Sequence, residues 1–444
     1  MIPAVLVAAL VGGCTTTHPK REVNFEPVAL DIAKTEIPDA RLLGVRIAVF
    51  DPGELPESKE QSSGLSMEIR KAEARFVAIH LKNVMQRTGH WGPVRVVPSE
   101  PPHADVMVVG RIIESDGEIL KLDVTVRDAS GARWFNKEYE GTIDLAFHNK
   151  AGKDRIEPFQ FLYHQIANDI ASYRATMPPA RVESVRRVAE LRFAEDFAPR
   201  AFKGYLKTAE APKEDTESGI AAIFGFFKQD DASPSSENPK FSVARLPAED
   251  DPLLLRVRRV KARDNMLVDT IDLQYDGLYH RLRDPYREWR KSRTIEIEAI
   301  RKLEDERNAE VGKSVAVVMA AVLIEVLASA ATGGISRTPV TAGVAGAAAG
   351  IAVQSAVQAV RKASDDAKIH QAGLTELGES FAADAQPIVF EVEGETVKLT
   401  GSAEEKFRQW REILAKLYER EVGPELSEPA KPATPAASGP SPTK

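Results

Sequence analysis

A single cysteine, Cys14, is the residue of this chain whose type and position point most directly to covalent chemistry. With one cysteine, no intrachain disulfide and no cysteine-based zinc site can form. Cys14 follows the small residues Gly12 and Gly13, and these follow an uncharged apolar run over residues 2–11. Small residues let the backbone enter a peptidase cleft, and a thiol is a nucleophile that can take up a lipid. The pattern therefore predicts acylation of Cys14.

The segment Val11-Gly12-Gly13-Cys14 resembles the lipobox of bacterial lipoproteins. The apolar run before it is typical of a secretory signal and is too short to span a bilayer. The resemblance implies that residues 1–13 are a signal peptide and that Cys14, carrying palmitate or similar chains, becomes the mature amino terminus. Because Thr15 is not the aspartate associated with inner-membrane retention, the resemblance also implies an outer-membrane protein that faces the periplasm. The alternative is a buried amino-terminal helix with an incidental thiol.

The composition argues against a nucleic-acid-binding protein. The chain has 444 residues and a formal net charge of -7, and its apolar fraction of 43% and charged fraction of 28% are ordinary for globular proteins. A mildly acidic chain has no broad attraction for phosphate backbones. The length is sufficient for two or three domains, each with its own core.

Other residues that could bind phosphate, act as an acid–base pair or hold a metal ion lack the partner residues that these sites require. Gly312-Lys313-Ser314 matches the end of a phosphate-binding loop, but Arg307 stands where that loop needs its first glycine. Three carboxylates among arginines on one predicted helix are expected to be solvated or ion-paired: Asp264, Asp269 and Asp272. Three histidines are scattered over a helix, a loop and the start of a strand, so a shared metal site is a minor alternative: His80, His90 and His103. We expect no catalytic residues, no metal and no cofactor.

The pattern over residues 41–142 predicts a small α+β domain. Residues 44–50 are a strand candidate, Ser66 can cap a helix that runs to about Thr88, and Gly89 suits the position after that helix. Further strands are predicted at 94–97, 105–113, 120–127 and 133–141. The run 105–113 is nearly all apolar, which suggests burial on both faces, whereas 120–127 alternates and predicts one wet face. The order is β-α-β-β-β-β.

This domain resembles a module of bacterial envelope proteins. The module occurs in the curli-secretion lipoprotein, in lipoprotein activators of penicillin-binding proteins and in the amino-terminal domain of the Tol translocation protein. The matching residues belong to strands and turns: Gly110, Arg111 and Ile112, then Val126-Arg127-Asp128-Ala129 with Gly131, and Trp134 with Tyr139. The resemblance implies binding to other proteins or oligomerisation, and it implies a fold far more than an activity.

The rest of the chain is predicted to be mostly helical. Residues 14–40 are interpreted as a lipidated tether, 150–209 as a helical segment, 210–245 as a linker with an apolar patch at 220–227, and 246–385 as a helical domain. Asp251-Pro252 can begin a long helix, and Asp284-Pro285 is predicted to break it. A β-hairpin and a helix with a Ser402–Glu405 capping box are predicted over 386–422, before a disordered tail at 423–444.

An apolar hairpin is predicted over residues 314–360. Its first arm is apolar except for Glu325 and a few serines, and in its second arm Gly346 and Gly350 form a small-xxx-small pair that lets helices approach closely. Three interpretations are open: a transmembrane hairpin, a hairpin buried by self-association, and a hairpin packed within the monomer. A charge at Glu325 costs on the order of 3 kcal/mol on insertion, which counts against the first.

These features together predict a non-catalytic envelope lipoprotein. It would be held to a membrane by its lipid, and would scaffold or regulate a periplasmic or outer-membrane complex through a protein partner that the sequence does not identify. The alternative is a subunit of an oligomeric outer-membrane channel or secretion assembly, in which hairpins such as 314–360 associate between copies.

Overall fold

The computed structural model describes most of the chain between residues 20 and 422. The described residues are 20–56, 65–101, 103–154, 156–209, 240–308, 358, 361–362, 364–366, 368–377, 387–392 and 395–422. The predictions on Cys14, the apolar patch at 220–227, Gly312-Lys313-Ser314, and Glu325, Gly346 and Gly350 of the hairpin therefore lie outside the described residues.

The fold is α+β, as the sequence predicts. Its first part contains the expected strands and helix: β1 (Val45–Ala48), α1 (Met67–Arg87), β2 (Val94–Val97), β3 (Val106–Ser115), β4 (Ile119–Asp128) and β5 (Arg133–Thr142). The strands form one sheet in the order β2-β1-β3-β4-β5. β1 pairs in parallel with β2 and with β3, and the β3-β4 and β4-β5 pairs are antiparallel.

Local signals determine where α1 begins and ends. The Ser66 side chain accepts a hydrogen bond from the amide of Ile69, which confirms the predicted N-cap. After Thr88 the backbone of Gly89 has φ of 70°, a left-handed conformation that glycine adopts without a steric penalty. The predicted apolar stripe of this helix is buried: Ile69, Ala72, Phe76 and Ile79.

The two longest predicted strands differ in how fully they are buried. β4 alternates along its length between buried and half-buried residues, as predicted for a strand with one wet face. In β3 both faces are buried from Val106 to Val108, but Arg111 and Ile113 are exposed. Burial on both faces is thus restricted to the first half of β3, and its second half contributes to an open surface.

The chain continues through α2 (Leu145–Asp154), α3 (Gln160–Ala175), α4 (Pro179–Phe197), the short α5 (Pro199–Phe202), β6 (Leu206–Ala209) and β7 (Lys240–Val243). β6 and β7 pair antiparallel. β7 lies within the stretch 210–245 that the sequence interprets as a linker. Its position depends on contacts distant in sequence, among them the hydrogen bond from the Phe241 amide to the Ser130 carbonyl at 2.7 Å.

One helix of 57 residues, α6 (Pro252–Asn308), dominates the second half of the molecule. Asp251 caps it as predicted, because its carboxylate accepts from the Leu253 amide at 2.8 Å. The predicted break at Asp284-Pro285 is wrong, since the helix continues through Pro285. Leu282, Tyr286 and Trp289 on either side of the proline are all buried. Packing of that face offsets the lost amide hydrogen bond and the steric conflict of the proline ring.

The C-terminal elements agree with the sequence pattern. β8 (Ile388–Val392) and β9 (Glu395–Leu399) form the predicted antiparallel hairpin, and α7 (Ala403–Val422) follows. The capping box is present, with the Ser402 amide donating to Glu405 Oε2 at 2.9 Å and the Glu405 amide donating to Ser402 Oγ at 3.2 Å. None of the helices in the described part of the chain is long and apolar enough to cross a membrane.

The amino-terminal segment does not behave as a loose tether from residue 20 onward. Asn24 pairs with Thr142 at the end of β5, and the Ala33 amide donates to the Thr88 carbonyl at 2.7 Å. The Phe25 ring packs on the ring of Phe147 with centroids 4.4 Å apart. The sequence interprets 14–40 as a tether, but residues 20–41 lie against the body because their apolar and backbone groups find partners there.

Candidate functional site

A cleft of about 430 Å³ lies where the amino-terminal segment, the end of β3 and α6 meet. Four arginines line it: Arg21, Arg70, Arg293 and Arg301. Three carboxylates line it as well: Glu54, Glu114 and Asp116. Its apolar lining residues are Leu55, Pro56, Leu65, Ile113 and Ile297. We call this feature the arginine cleft. Each of the four arginines is paired with a carboxylate in or beside the cleft, so the charges are largely balanced there.

The turn after β3 joins the arginine cleft to the amino-terminal segment. Arg21 donates to Asp116 Oδ2 at 2.7 Å and also contacts the Glu114 carboxylate. Burial alone would raise the pKa of Asp116, but the Arg21 guanidinium and the hydrogen bonds from the Glu118 and Ile119 amides together hold that pKa below the ordinary value. Asp116 Oδ1 in turn accepts from the Glu118 amide at 2.7 Å. The Asp116 carboxylate therefore fixes both the turn and the segment that leads to Cys14.

On the opposite side of the same turn, α6 approaches closely. Arg301 donates to Glu118 Oε2 at 2.7 Å. A Cβ atom at Gly117 would lie 2.3 Å from the amide nitrogen of Thr294, so this position has no room for a side chain. The turn at 116–118 is thus held between residue 21 on one side and α6 on the other.

Behind the cleft lies a buried ionic centre. Glu73 and Arg290 are both 0% exposed, and Arg290 Nη2 lies 2.5 Å from Glu73 Oε1. That oxygen also accepts from the hydroxyls of Ser115 and Tyr286, each at 2.5 Å. Arg290 Nη1 donates to the Asp116 carbonyl at 2.6 Å. Glu73 Oε1 thus accepts from one guanidinium and two hydroxyls, and Glu73 Oε2 lies 3.7 Å from Nη1 of a second buried arginine, Arg70.

Arg70 and Arg293 are buried arginines with unused hydrogen-bonding capacity. Arg70 Nη2 donates to the Ser115 carbonyl at 3.0 Å, and Arg293 Nη1 donates to Glu296 Oε2 at 2.5 Å. Within the described residues, Arg70 Nε and Nη1 and Arg293 Nε have no hydrogen-bond partner. Arg70 Nη1 also lies 3.7 Å from Glu73 Oε2, so each of the two guanidinium groups is paired with a buried carboxylate.

The three carboxylates singled out on the long helix do not form an acid–base pair. Asp272 Oδ2 lies 3.0 Å from Lys82 Nζ, and its Oδ1 accepts from the Val96 amide of β2 at 2.8 Å. Asp269 pairs with Arg95 of the same strand. These contacts bear out the expected ion pairing, but the cations lie in α1 and β2 rather than on the helix itself. They fasten α6 along the outer edge of the sheet, whose exposed amides would otherwise be open to pairing.

Asp264 is fully buried beside a second cavity of about 300 Å³. Its Oδ2 lies 3.9 Å from Arg46 Nη2 and 3.8 Å from His103 Nε2, beyond hydrogen-bonding distance in both cases. Burial lowers the pKa of His103 to about 4, so the imidazole is neutral near pH 7. The Asp264 carboxylate is therefore paired with Arg46 rather than solvated.

The three histidines named in the sequence lie apart. His80 is buried between the Tyr279 hydroxyl, 2.7 Å from Nδ1, and the Gln160 amide oxygen, 2.9 Å from Nε2. His90 lies beside Asp31, and His103 lies beside Asp264. In the part of the chain that the structure describes, no group of three or more His, Cys, Asp or Glu side chains is placed to hold a metal ion.

The residues of the arginine cleft were not singled out by the sequence. Two buried polar residues of α1 outside the cleft lining, Glu73 and His80, do carry a sequence signal. Both fall on the i, i+3, i+4 spacing of the apolar stripe of α1, where a polar residue needs a buried partner. No local signal identifies those partners, since Glu73 and Arg290 are 217 residues apart. The sequence-predicted sites Cys14, Glu325, Gly346 and Gly350 are not among the described residues.

Comparisons of this chain with family models, with curated proteins and with solved structures gave no match.

Proposed function

We propose that this protein is a non-catalytic, membrane-anchored envelope lipoprotein that scaffolds or regulates a periplasmic or outer-membrane complex. The observation that carries the proposal is the segment Val11-Gly12-Gly13-Cys14, with its apolar run before it and polar residues after it. Acylation of Cys14 would give the protein more than one fatty chain, and each buried methylene contributes about 0.8 kcal/mol to anchoring.

The docked amino-terminal segment supports this proposal. Residues 20–41 are held by the body at several points, including Arg21, Asn24 and Ala33. Six residue steps separate Cys14 from Lys20. A lipid on Cys14 would therefore hold a rigid body at short range from the bilayer, which suits a scaffold that presents a fixed surface to its partner.

The disposition of charged side chains supports a structural role for the helical body. Asp269 and Asp272 of α6 are committed to ion pairs with β2 and α1, and Glu73 is committed to Arg290. The Ser115 hydroxyl, the nearest candidate nucleophile in the arginine cleft, is 1% exposed and donates to Glu73. A nucleophile needs access to its substrate and an unengaged base. The resemblance of residues 41–142 to envelope interaction modules is consistent with protein binding.

A second candidate function is a subunit of an oligomeric outer-membrane channel or secretion assembly. The apolar segment 314–360, with Gly346 and Gly350, favours it, because small residues at this spacing allow helices from different copies to pack closely. In that case the detergent-extracted protein would elute far above its monomer mass of 48.6 kDa.

The experiment is fractionation of cells that express the wild-type chain or Cys14→Ser. We expect the wild type in the membrane fraction and the variant in a soluble fraction, because the variant has no thiol to acylate. Cys14 precedes the docked segment, so the variant should unfold at the same temperature as the wild type. Retention of a folded Cys14→Ser variant in the membrane would contradict the lipid anchor and would point to residues 314–360 instead.

A further inference from the structure

An exposed apolar stripe runs along the long helix α6. Leu255 is 45% exposed, Met266 is 58% exposed and Leu273 is 69% exposed. Steps of 11 and 7 residues correspond to about three and two helical turns, so these side chains lie on one side of the helix, with the exposed Ala262 between the first two. From position 255 to position 273 the stripe spans about 27 Å along the axis. We call this feature the α6 stripe.

The α6 stripe differs from the scattered apolar residues of an ordinary surface. The opposite side of the same helix is buried against the body: Leu267, Ile271, Tyr275 and Leu278. Single exposed apolar side chains are common, but a row of them on one helix face offers a continuous apolar surface. Such a surface is typical of an interaction site.

The stripe is arranged almost symmetrically about Met266. Leu273 and Arg259 are both seven residues from Met266, and Leu255 and Gly277 are both eleven residues from it. If two copies of α6 pair antiparallel about a two-fold axis at position 266, Met266 meets its own counterpart. Leu273 then lies against the aliphatic stem of the partner's Arg259. A two-fold interface requires self-complementarity of this kind.

The charges of α6 favour the same antiparallel arrangement. Residues 252–265 contain four arginines and one lysine against one aspartate, whereas residues 266–280 contain three aspartates and no lysine or arginine. Antiparallel pairing places the basic half of each helix beside the acidic half of the other, and parallel pairing would bring like charges together.

Ion pairs within one subunit do not cancel all of this charge. Asp272 and Asp276 share a single cation, Lys82, which leaves one negative charge in excess in the acidic half. In the basic half Arg259 is exposed and has no carboxylate partner among the described residues. Other charges of α6 are already paired within the subunit: Arg258 with Glu190, and Asp269 with Arg95.

We propose that two copies of this chain associate antiparallel through the α6 stripe, with the two-fold axis at Met266. The partner is a second copy because the apolar row and the two oppositely charged halves complement a reversed copy of themselves. The inference depends neither on a lipid at Cys14 nor on association through residues 314–360.

The test is crosslinking through one thiol on the axis. Cys14→Ser removes the sole native cysteine, so Met266→Cys in this full-length background supplies a single thiol per chain. In the proposed dimer the two thiols lie across the axis from each other. We expect a short bismaleimide to convert most of the protein to a species of twice the monomer mass of 48.6 kDa.

Ile113→Cys in the same background is the matched control. Ile113 is 40% exposed and lines the arginine cleft together with Ile297. Position 297 lies 31 residues after Met266, about 46 Å along α6, and antiparallel pairing directs this end of each copy away from the other. The thiol at position 113 should react with the bismaleimide without linking two chains.

Two substitutions at Leu273 test the orientation of the helices. Leu273→Glu would place a carboxylate opposite the partner's Arg259, twice per dimer, whereas Leu273→Arg would place a second cation there. We expect the dissociation constant from sedimentation velocity to be about tenfold higher for the arginine variant than for the glutamate variant. Within one subunit the order is reversed, because Asp269 and Asp276 lie one turn away and favour arginine. Thermal unfolding therefore separates folding from association.

Each contrary outcome overturns the inference and leaves the proposed function in place. A monomer whose thiol at position 266 reacts freely would show that the stripe is open to solvent. A thiol at position 266 that neither reacts nor crosslinks would show that another part of the chain covers the stripe. Equal crosslinking at positions 113 and 266, or equal dissociation constants for the two Leu273 variants, would exclude the antiparallel two-fold. The membrane fractionation of the wild type and Cys14→Ser does not depend on any of these results.

Discussion

The carboxylate of Glu73 is fully buried, and its hydrogen bonds are concentrated on one of its two oxygens. Arg290, Ser115 and Tyr286 all donate to one of its oxygens. A buried ion pair of this kind contributes little net stability compared with apolar residues, but removal of one partner leaves the other charge buried and uncompensated. Since α1 contributes Glu73 and α6 contributes Arg290, the pair fixes the register between the two helices.

Replacement of Glu73 tests this account at the scale of one residue. We expect Glu73→Ala to lower the free energy of unfolding by about 3–5 kcal/mol, measured by urea denaturation, because Arg290 remains buried without its counter-charge. Glu183→Ala is the matched control, since Glu183 pairs with Arg187 on the surface and is 67% exposed. It should change the free energy by about 0.5 kcal/mol or less.

A double variant separates the effect of the buried charges on the free energy of unfolding from the effect of side-chain packing. Glu73→Leu combined with Arg290→Met removes both charges while it keeps apolar volume, so its loss of stability should be clearly smaller than the sum of the two single losses. Additive losses would contradict the pairing of Glu73 with Arg290.

At the scale of elements, α6 organises the molecule. It contacts α1, β2, α2, α4 and α7 along its length. Asp269 and Asp272 fasten it to the edge of the sheet, Tyr286 and Arg290 reach the buried centre, and Arg301 reaches the turn at 116–118. A helix with partners over so many turns keeps its course through Pro285, although an isolated helix would kink or end there.

Pro285 should therefore reduce the stability of α6 without ending it. We expect Pro285→Ala to raise the free energy of unfolding by about 1–3 kcal/mol, since alanine restores an amide donor and removes the ring from the preceding turn. Gly277→Ala is a matched positive control, because a Cβ atom at position 277 meets no atom within 4 Å. That change should add about 0.5–1 kcal/mol. Thermal unfolding measures both, and a lower midpoint for Pro285→Ala would show that the helix depends on the proline.

The elements that the sequence predicted well carry local signals. Ser66 and Gly89 bound α1, alternation marks β4, and the capping box marks the start of α7, and each of these depends on residues a few positions apart. The continuity of α6, the presence of β7 and the docking of residues 20–41 depend on distant contacts. The site was missed for the same reason, because its residues lie between positions 21 and 301 and meet only when the fold is complete.

At the scale of the whole molecule, the sheet and the helical body share one large hydrophobic core. The core extends from Leu43 before β1 to Tyr418 in α7 and includes residues of α1, α3, α4, α6 and α7. Three histidines are buried within it or at its edge: His80, His103 and His148. Burial lowers the pKa of each to about 4, against an ordinary value of 6.5.

These three buried histidines make the native state less stable as the pH is lowered. Between pH 6.5 and pH 4 the unfolded chain binds protons at these positions and the native state does not, so the free energy of unfolding falls as the pH is lowered, by about 3 kcal/mol per histidine. Burial raises the pKa of Glu157 to about 7, which acts in the opposite sense and offsets about one histidine.

We expect the midpoint of thermal unfolding to drop steadily from pH 7 to pH 4.5. His148→Gln should flatten this dependence, because glutamine does not titrate and can still donate to the Gly117 carbonyl that His148 Nε2 contacts at 2.8 Å. An unchanged slope in the variant, or a midpoint that rises on acidification, would contradict the assignment of buried neutral histidines.

At this scale the proposed molecule has three parts: a large shared core, an amino-terminal segment docked on it, and a lipid on Cys14, seven residues before Arg21. The claim on which the proposed envelope role depends is the acylation of Cys14.

The most direct test is the intact mass and amino-terminal peptide of the protein purified from bacterial cells that express it. The account predicts a chain that begins at Cys14, lacks residues 1–13 and carries acyl groups on that cysteine. A chain that retains residues 1–13 with a free thiol at position 14 would contradict it.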